Sequence, residues 1–309
     1  MPKNINPADF IVPLEMNGLS GRMLHMPAPS GKAAEILFVY GQHSSLERWW
    51  GLAQYANRYG AVTMPDLPGF GGMESFYKIA KKPTIDNLAD YLAAFMKMRY
   101  KRRKKVVIVG MSFGFVVVTR MLQRYPELAK HIDTLISVVG FAHSDEFTLS
   151  RKRYWFYRLV ASVCSYRLPA LCFRYACLNA RILRLAYQHT RNAKAKFNGA
   201  AGRVESDTSV AAEIWLWQHN DVRTYACSLA QSLSFDNCQL RVQLPLWHVS
   251  GDTDQYFDNH RIEQHLQVIF PEVHVVKSKL GTHAPSVVAD AVVAKTLIPI
   301  RLQRLLAKL

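Results

Sequence analysis

A serine between two closely spaced glycines carries the strongest chemical signal in this chain. It is Ser112, in the segment Gly110-Met111-Ser112-Phe113-Gly114, which follows the β-branched run 106–109 and precedes a further apolar run. This pattern predicts a buried strand, a sharp turn and a helix, with the serine exposed at the tip of a nucleophile elbow. The glycines permit the strained backbone and close packing that such a turn needs. The elbow predicts a serine that attacks a carbonyl carbon.

Two loops downstream of Ser112 contain the groups that would activate it. A serine hydroxyl needs a base, normally histidine, and a carboxylate that orients this base. The segment 245–249 leads into a loop with Asp252 and Asp254, and the segment 273–276 leads into a loop with His283. Functional groups in parallel sheets gather beyond the carboxyl ends of the strands, so we expect these loops to meet the serine. The chain order serine, aspartate, histidine also fits the elbow.

The elements that must position these loops alternate between strand and helix. Predicted strands lie at 11–14 and 23–26, joined by an Asn17-Gly18 hairpin, and at 36–40, 61–64, 106–109, 134–139, 245–249 and 273–276. Predicted helices lie at 46–58, at 85–103 behind a Thr84 cap, directly after Ser112, at 259–267, and near the C-terminus with a break at Pro299. This alternation predicts an α/β fold with a mostly parallel, twisted sheet covered by helices on both faces.

The alternation stops between residues 144 and 240, where helical periodicity remains without clear strands. We therefore expect a core domain formed by residues 1–143 and 241–309, with an inserted helical cap at 144–240. If residues 170–191 form one helix, a basic stripe runs beside an apolar one. The two stripes are Arg174, Arg181, Arg184, Arg191 and Leu171, Tyr175, Leu178, Ile182, Leu185. Either the apolar stripe covers the site and the arginines face water, or the basic cap and residues 97–105 bind an anionic membrane.

Several aromatic and histidine side chains have two interpretations. Trp155, Phe156, Trp215 and Trp217 suit an apolar acyl pocket and suit packing inside the cap equally well. His248 lies in a predicted strand and is expected to be a packed core residue, whereas His43 is expected at the pocket entrance.

The uneven distribution of charge bears on the partners of this chain. The formal net charge is +16 over 309 residues, and residues 151–203 contain twelve Lys or Arg and no Asp or Glu. No signature of a nucleic-acid-binding fold accompanies these cations, so nucleic acid is an unfavoured partner. We expect a small-molecule acyl substrate, with peripheral contact to an anionic membrane as the alternative role of the basic cap.

Cysteine usage and hydropathy indicate the compartment. The five cysteines show no C-x-x-C pair and no metal-ligand spacing. This pattern is typical of reduced thiols in the cytosol. No segment predicts a signal peptide or a membrane span. We expect a soluble cytoplasmic protein, or one attached peripherally to a membrane, without a metal or cofactor.

Two further motifs accompany the elbow and its partner loops. The segment 66–75, Asp-Leu-Pro-Gly-Phe-Gly-Gly-Met-Glu-Ser, is similar to a D-x-P-G-x-G-x-S loop, and Tyr40-Gly41-Gln42-His43 is similar to an oxyanion segment. Together these motifs resemble the α/β-hydrolase superfamily over nearly all of residues 10–300 outside the cap. Tyr40 departs from the family's usual histidine, and Phe115 stands where a small residue often follows the elbow.

The resemblance implies a role for each site residue. Ser112 is the nucleophile, His283 the base and Asp254 the acid, with Asp252 and then Asp258 as rival acids. The backbone N–H groups of Gln42 and Phe113 form the oxyanion hole.

The resemblance also implies an activity. It is that of a serine hydrolase that cleaves carboxylic esters with apolar acyl chains. Carbon–carbon, lactone, amide and thioester substrates stay open within the fold. A basic lipid-surface-binding protein with a non-catalytic pocket is the alternative from another class.

Overall fold

The computed structural model describes residues 6–100, 105–189, 203–251, 254–278, 283, 288 and 290–308, with the backbone alone for 186–189 and 203–209. The strands are β1 (Ile11–Met16), β2 (Leu19–Met26), β3 (Ala34–Val39), β4 (Gly60–Pro65), β5 (Val106–Met111), β6 (Ile132–Val138), β7 (Leu246–Gly251) and β8 (Val273–Ser278). They form one sheet in the order β1-β2-β4-β3-β5-β6-β7-β8, in which β3 to β8 run parallel and β1 and β2 run antiparallel to their neighbours.

Helices flank this sheet. They are α1 (Trp50–Ala56), α2 (Ile85–Arg99), α3 (Phe113–Arg124), α4 (Arg151–Cys164), α5 (Arg167–Cys177), α6 (Ala180–His189), α7 (Arg203–His219), α8 (Val222–Ser232), α9 (Asn259–Ile269), α10 (Ala291–Leu297) and α11 (Ile300–Leu306). Short 3₁₀ turns cover Pro7–Phe10, Glu47–Trp49, Phe76–Ile79, Pro126–His131 and Ser144–Glu146. The mostly parallel sheet with flanking helices confirms the predicted fold class.

Local sequence signals explain several of these elements. Asn17 and Gly18 both have positive φ, at 54° and 79°, as the tight turn of the β1–β2 hairpin requires. Thr84 caps α2 by accepting a hydrogen bond from the N–H of Asn87 at 3.1 Å, which confirms its predicted role. The predicted helix 46–58 is shorter than expected, because Glu47–Trp49 forms a 3₁₀ turn before α1. Helix α2 ends at Arg99, and residues 101–104 lie outside the described part.

The helices α4 to α8, which we call the inserted helices, lie between β6 and β7. They contain a small apolar cluster of their own, formed by Ala170, Leu178, Leu183, Ile214 and Val222, separate from the main core around the sheet. The cap boundaries at 144 and 240 stay a prediction. Within the described residues, no helix combines the length and the apolar character needed to cross a bilayer.

The expectation of a single helix over residues 170–191 is wrong. Two helices, α5 and α6, replace it, with a break at Leu178 and Asn179. The Asn179 side chain accepts a hydrogen bond from the N–H of Ile182 at 3.0 Å, which caps the start of α6. A local capping residue therefore outweighs a periodicity that continues through it. Arg191 lies outside the described residues.

Candidate active site

The elbow joins β5 to α3, with Ser112 alone between them. Ser112 has φ 49° and ψ −123°, a conformation that only glycine adopts without strain. Gly114 must lack a side chain, because a Cβ there would lie 2.2 Å from the carbonyl oxygen of Val39. The tight crossing of α3 over the end of β3 therefore depends on this glycine.

Phe115, the departure from the family pattern after the elbow, fits without widening the turn. Its side chain is fully buried and its ring centroid lies 6.0 Å from that of Phe270. A Cβ on Gly110 would lie 2.8 Å from the Phe115 Cα, and one on Gly140 would lie 2.6 Å from its ring. Gly140 thus provides space for the Phe115 ring, and Gly110 permits the close approach of the Phe115 backbone.

A chain of hydrogen bonds connects Ser112, His283 and Asp254. The Nε2 atom of His283 lies 2.8 Å from the Oγ of Ser112, and its Nδ1 atom lies 2.6 Å from an Asp254 carboxylate oxygen. The other Asp254 oxygen accepts hydrogen bonds from the N–H groups of Tyr256, at 2.8 Å, and Phe257, at 3.2 Å. Because the aspartate is held by these two N–H groups, it can fix the ring orientation of the histidine.

The rival acids have different positions. Asp258 accepts hydrogen bonds from the N–H groups of His260 and Arg261 and thereby caps α9. Asp252 lies outside the described residues. Among the described carboxylates, Asp254 is the one hydrogen-bonded to His283.

The segment Gly41-Gln42 lies against the elbow. A Cβ on Gly41 would lie 3.1 Å from the Ser112 Cβ and 3.5 Å from the backbone nitrogen of Phe113. Phe113 is the first residue of α3, so its N–H has no intrahelical acceptor. No described residue accepts a hydrogen bond from the backbone N–H of Phe113 or of Gln42. Within the described residues, the N–H of Phe113, next to Ser112, and the N–H of Gln42, next to Gly41, thus have no acceptor.

Tyr40, the other departure from the family pattern, anchors this segment to the Asp66 loop. Its hydroxyl donates to an Asp66 carboxylate oxygen at 2.5 Å and accepts from the N–H of Leu67 at 3.2 Å. Asp66 also accepts from Arg22 at 2.8 Å and from the N–H of Gly72 at 2.7 Å. Complete burial raises the pKa of Asp66 to about 6, while its hydrogen-bond donors oppose that shift. The tyrosine therefore holds residues 40–43, the candidate oxyanion segment, on a buried polar network.

A cavity of about 560 Å³ opens beside Ser112 and His283. Aromatic and aliphatic side chains form much of its wall, among them Phe141, Phe147, Phe257, Tyr225 and Leu229. The rings of Phe141 and Phe147 both lie 4.5 Å, centroid to centroid, from that of Phe257. Polar side chains of the oxyanion segment, including Gln42 and His43, line another part. The cavity can therefore hold an apolar group beside a polar reacting centre.

Comparison with known proteins identifies the family. A family model for the alpha/beta hydrolase fold matches residues 36–288, well over half of the chain. The chain belongs to the alpha/beta hydrolase fold family. A comparison with curated proteins gives no match.

Solved structures resemble this alpha/beta hydrolase at low sequence identity. A hydrolase from Pseudomonas aeruginosa PA01 has a TM-score of 0.62 at 16% identity, covering 87% of this chain and 90% of that one. The enol-lactonase from Burkholderia xenovorans LB400 has a TM-score of 0.60 at 16% identity, with 87% and 91% covered. A thermophilic esterase from Thermogutta terrifontis has a TM-score of 0.58 at 16% identity, with 96% of each chain covered. At this identity the likeness shows the fold, and the family supports hydrolase chemistry.

The inserted region of this alpha/beta hydrolase reaches the candidate oxyanion segment through two residues that sequence reasoning missed. Glu213, in α7, is buried, and its carboxylate lies 3.5 Å from the Nε2 of His43 and 3.7 Å from Arg48. Asn220 accepts a hydrogen bond from the N–H of Gly71 at 2.8 Å, and its side-chain nitrogen lies 3.2 Å from the Nδ1 of His43. Glu213 could have been singled out from the sequence, because it is an acidic residue within the otherwise apolar stretch 210–217.

His43 and His248 occupy the positions that the sequence predicts. His43 lines the cavity and has a positive φ of 52°. His248 is fully buried, with its Nδ1 3.0 Å from the Ser137 hydroxyl, and burial lowers its pKa to about 4. It is therefore a neutral core residue near neutral pH.

The expectation that the apolar stripe of residues 170–191 covers the site is wrong. Leu171, Tyr175, Ile182 and Leu185 are exposed, and α5 and α6 contribute nothing to the described wall of the cavity. Tyr157 of α4 and Tyr225 of α8 line it instead. The tryptophans also lie elsewhere: Trp155 is exposed, Trp215 stacks on His219, and Trp217 packs on His43 with ring centroids 4.0 Å apart.

Proposed function

We propose that this alpha/beta hydrolase is a serine hydrolase that cleaves carboxylic esters with apolar acyl chains. The observation that carries this proposal is the hydrogen-bonded chain from Asp254 through His283 to Ser112, which ends at a cavity with aromatic and aliphatic side chains in its wall. A nucleophile, a base and an orienting acid at hydrogen-bond distance are what acyl transfer requires.

Each residue has a role in the proposed reaction. The Ser112 oxygen attacks the ester carbonyl carbon while its proton passes to His283 Nε2, and Asp254 stabilises the imidazolium that forms. The N–H groups of Gln42 and Phe113 bind the oxyanion of the tetrahedral intermediate. The intermediate collapses to an acyl-Ser112, and the leaving alcohol takes the proton from His283. Water, deprotonated by His283, then releases the carboxylic acid and restores the serine.

The wall of the cavity supports an apolar acyl group. Phe141, Phe147 and Phe257 form a cluster of rings at the base of the loop that carries Asp254, and Leu229 of α8 extends the apolar wall. A chain of methylene groups buried there gains about 0.8 kcal/mol for each group. The length of the acyl chain should therefore change kcat/KM more than a change in a small leaving alcohol does.

The test is hydrolysis of p-nitrophenyl esters from acetate to palmitate by the wild-type protein and by Ser112→Ala. We expect the variant to lose about 10⁴-fold or more in kcat, because the nucleophile is absent while the fold is retained. Ser162→Ala, at an exposed position of α4, is the matched control and should keep wild-type turnover. Circular dichroism should show the same folded structure for all three proteins.

Two outcomes would overturn parts of the proposal. Equal turnover by wild type and Ser112→Ala would remove the serine mechanism. Turnover of lactones or amides, but of no ester, by the folded wild-type protein would keep the mechanism and replace the substrate class. The enol-lactonase among the solved structures makes a lactone series the appropriate second panel.

A further inference from the structure

The inserted helices expose an unusual amount of apolar surface. Eighteen large hydrophobic side chains are exposed in the described part of the chain, and eleven of them lie within residues 155–185. Tyr175 is 75% exposed, Leu168 74%, Tyr166 70% and Leu159 64%. Scattered exposed hydrophobic residues are ordinary, but a concentration on three consecutive helices marks a binding surface.

Helix α4 shows the pattern most clearly. It packs against α5 and α8 and buries Ala161 and Cys164. Trp155, Phe156, Leu159 and Val163 are exposed, and their spacing places them in one stripe along the helix. A helix that faces only water carries polar residues in such a stripe. This helix is therefore apolar on its packed face and on an outer face as well.

Positive charge surrounds this apolar surface. The cations on α4, α5 and α6 are Arg151, Lys152, Arg153, Arg158, Arg167, Arg174, Arg181 and Arg184. None of them forms an ion pair with a described carboxylate, and the sequence contains no acidic residue from 151 to 203. The surface thus combines aromatic and aliphatic groups with a high density of cations, none of which pairs with a described carboxylate.

We propose that this surface, formed by the exposed side chains of α4, α5 and α6 and called here the docking surface, binds a membrane that contains anionic phospholipids. Aromatic and aliphatic side chains enter the boundary between headgroups and acyl chains, and arginines bind the phosphates. A second copy of this chain is a poor occupant, because a symmetric contact would bring together two copies of a segment that is rich in cations and has no acidic residue from 151 to 203.

The docking surface adjoins the cavity. Arg153 and Tyr157, both of α4, line the cavity that contains Ser112. Docking through α4 therefore brings the cavity, which lies on another side of this helix from the exposed stripe, close to the lipid surface, where an acyl substrate would be concentrated. This consequence rests on the proposed ester hydrolysis, whereas the docking itself does not.

The test is co-sedimentation of the full-length protein with vesicles of phosphatidylcholine, with and without about 30 mol% phosphatidylglycerol. We expect binding to the anionic vesicles at about 0.1 M salt and much weaker binding at about 0.5 M. The double variant Arg181→Glu with Arg184→Glu should weaken binding about thirtyfold or more. Phe156→Ser with Leu159→Ser should weaken it about tenfold.

Matched controls separate the docking surface from overall charge and hydrophobicity. Lys130→Glu with Arg241→Glu makes the same change in net charge at exposed positions elsewhere, and Val292→Ser with Ile300→Ser removes exposed aliphatic groups from α10 and α11. Both controls should bind as wild type does. All variants should keep the wild-type unfolding temperature and turnover of soluble esters, so that failure of docking is distinguishable from failure of the proposed function.

Three results would overturn the proposal. They are equal binding to neutral and anionic vesicles, equal loss of binding in the control variants, and no vesicle binding by a wild-type protein that sediments as a dimer. If the wild-type protein is a dimer that does not bind vesicles, and the double variant Phe156→Ser with Leu159→Ser is a monomer, the surface is a contact between copies of this chain.

Discussion

The strained backbone of Ser112 predicts that glycine and alanine at this position differ in stability although both abolish catalysis. At φ 49° and ψ −123° a residue with a Cβ is strained by about 1–3 kcal/mol, and glycine is not. Glycine loses about 0.5–1 kcal/mol more than alanine in backbone entropy on folding. Ser112→Gly should therefore be more stable than Ser112→Ala by about 1 kcal/mol. Both variants lose the 2.8 Å hydrogen bond to His283, so this contribution cancels.

The assay is urea unfolding of the two variants, with thermal unfolding as a second measurement. For a chain of this length, about 1 kcal/mol corresponds to a change of about 2 °C in the unfolding temperature. Ser162 is the control because it is exposed within helix α4. There Gly should be less stable than Ala by about 1 kcal/mol, the opposite sign.

A Ser112→Gly variant that is less stable than Ser112→Ala, by the margin seen at Ser162, would refute the reasoning. It would mean that the elbow stores no backbone strain at the nucleophile. A difference of the expected sign in unfolding free energy, with equal loss of turnover, would support strain that the fold tolerates in order to place the Ser112 hydroxyl at the cavity.

Three further predictions follow from the site and the core. Asp254→Asn should lower kcat about 10³- to 10⁴-fold in the ester assay with little change in unfolding temperature, because the amide keeps the shape but no longer holds the histidine for proton transfer; wild-type turnover would contradict this role. Gly114→Ala should cost about 3 kcal/mol or more in urea unfolding, since its Cβ would lie 2.2 Å from the backbone oxygen of Val39; a change near zero would contradict the close crossing. Burial lowers the pKa of His248 from 6.5 to about 4. Between these pH values the unfolded chain binds a proton at this histidine that the folded chain does not bind. The unfolding free energy should therefore fall by about 3 kcal/mol as the pH falls from 6.5 to 4. His248→Gln should lose that pH dependence, whereas exposed His260→Gln should keep it.

The sequence alone was sufficient for the features that depend on local patterns. The β-branched run before Ser112 predicts a buried strand, the glycines predict the turn, and Asn17-Gly18 predicts the hairpin, because each signal arises from the backbone preferences of neighbouring residues. The loops with Asp254 and His283 were also recognisable, since they follow predicted strands whose ends share one edge of the sheet.

The sequence pattern was insufficient where a short-range signal competes with periodicity. Residues 170–191 keep a helical pattern throughout, yet Asn179 caps a new helix and divides the segment. Apart from Leu178, the apolar stripe then lies at the surface, because the rest of the small core of the inserted helices is formed by other residues, among them Leu183, Ile214 and Val222. Periodicity shows that a stripe exists, but it does not show what covers it.

Only the tertiary structure decided which distant residues complete the site. Tyr40 and Asp66 are 26 positions apart and form one buried network, and Asn220 lies within hydrogen-bond distance of His43 across 177 positions. Local composition predicts strands, turns and helices because it acts through neighbouring backbone groups. Packing of separate elements creates three further features: the pairing of Asp254 with His283, the contact of Glu213 with His43, and the walls of the cavity. This packing depends on the shapes and volumes of all the side chains in the core.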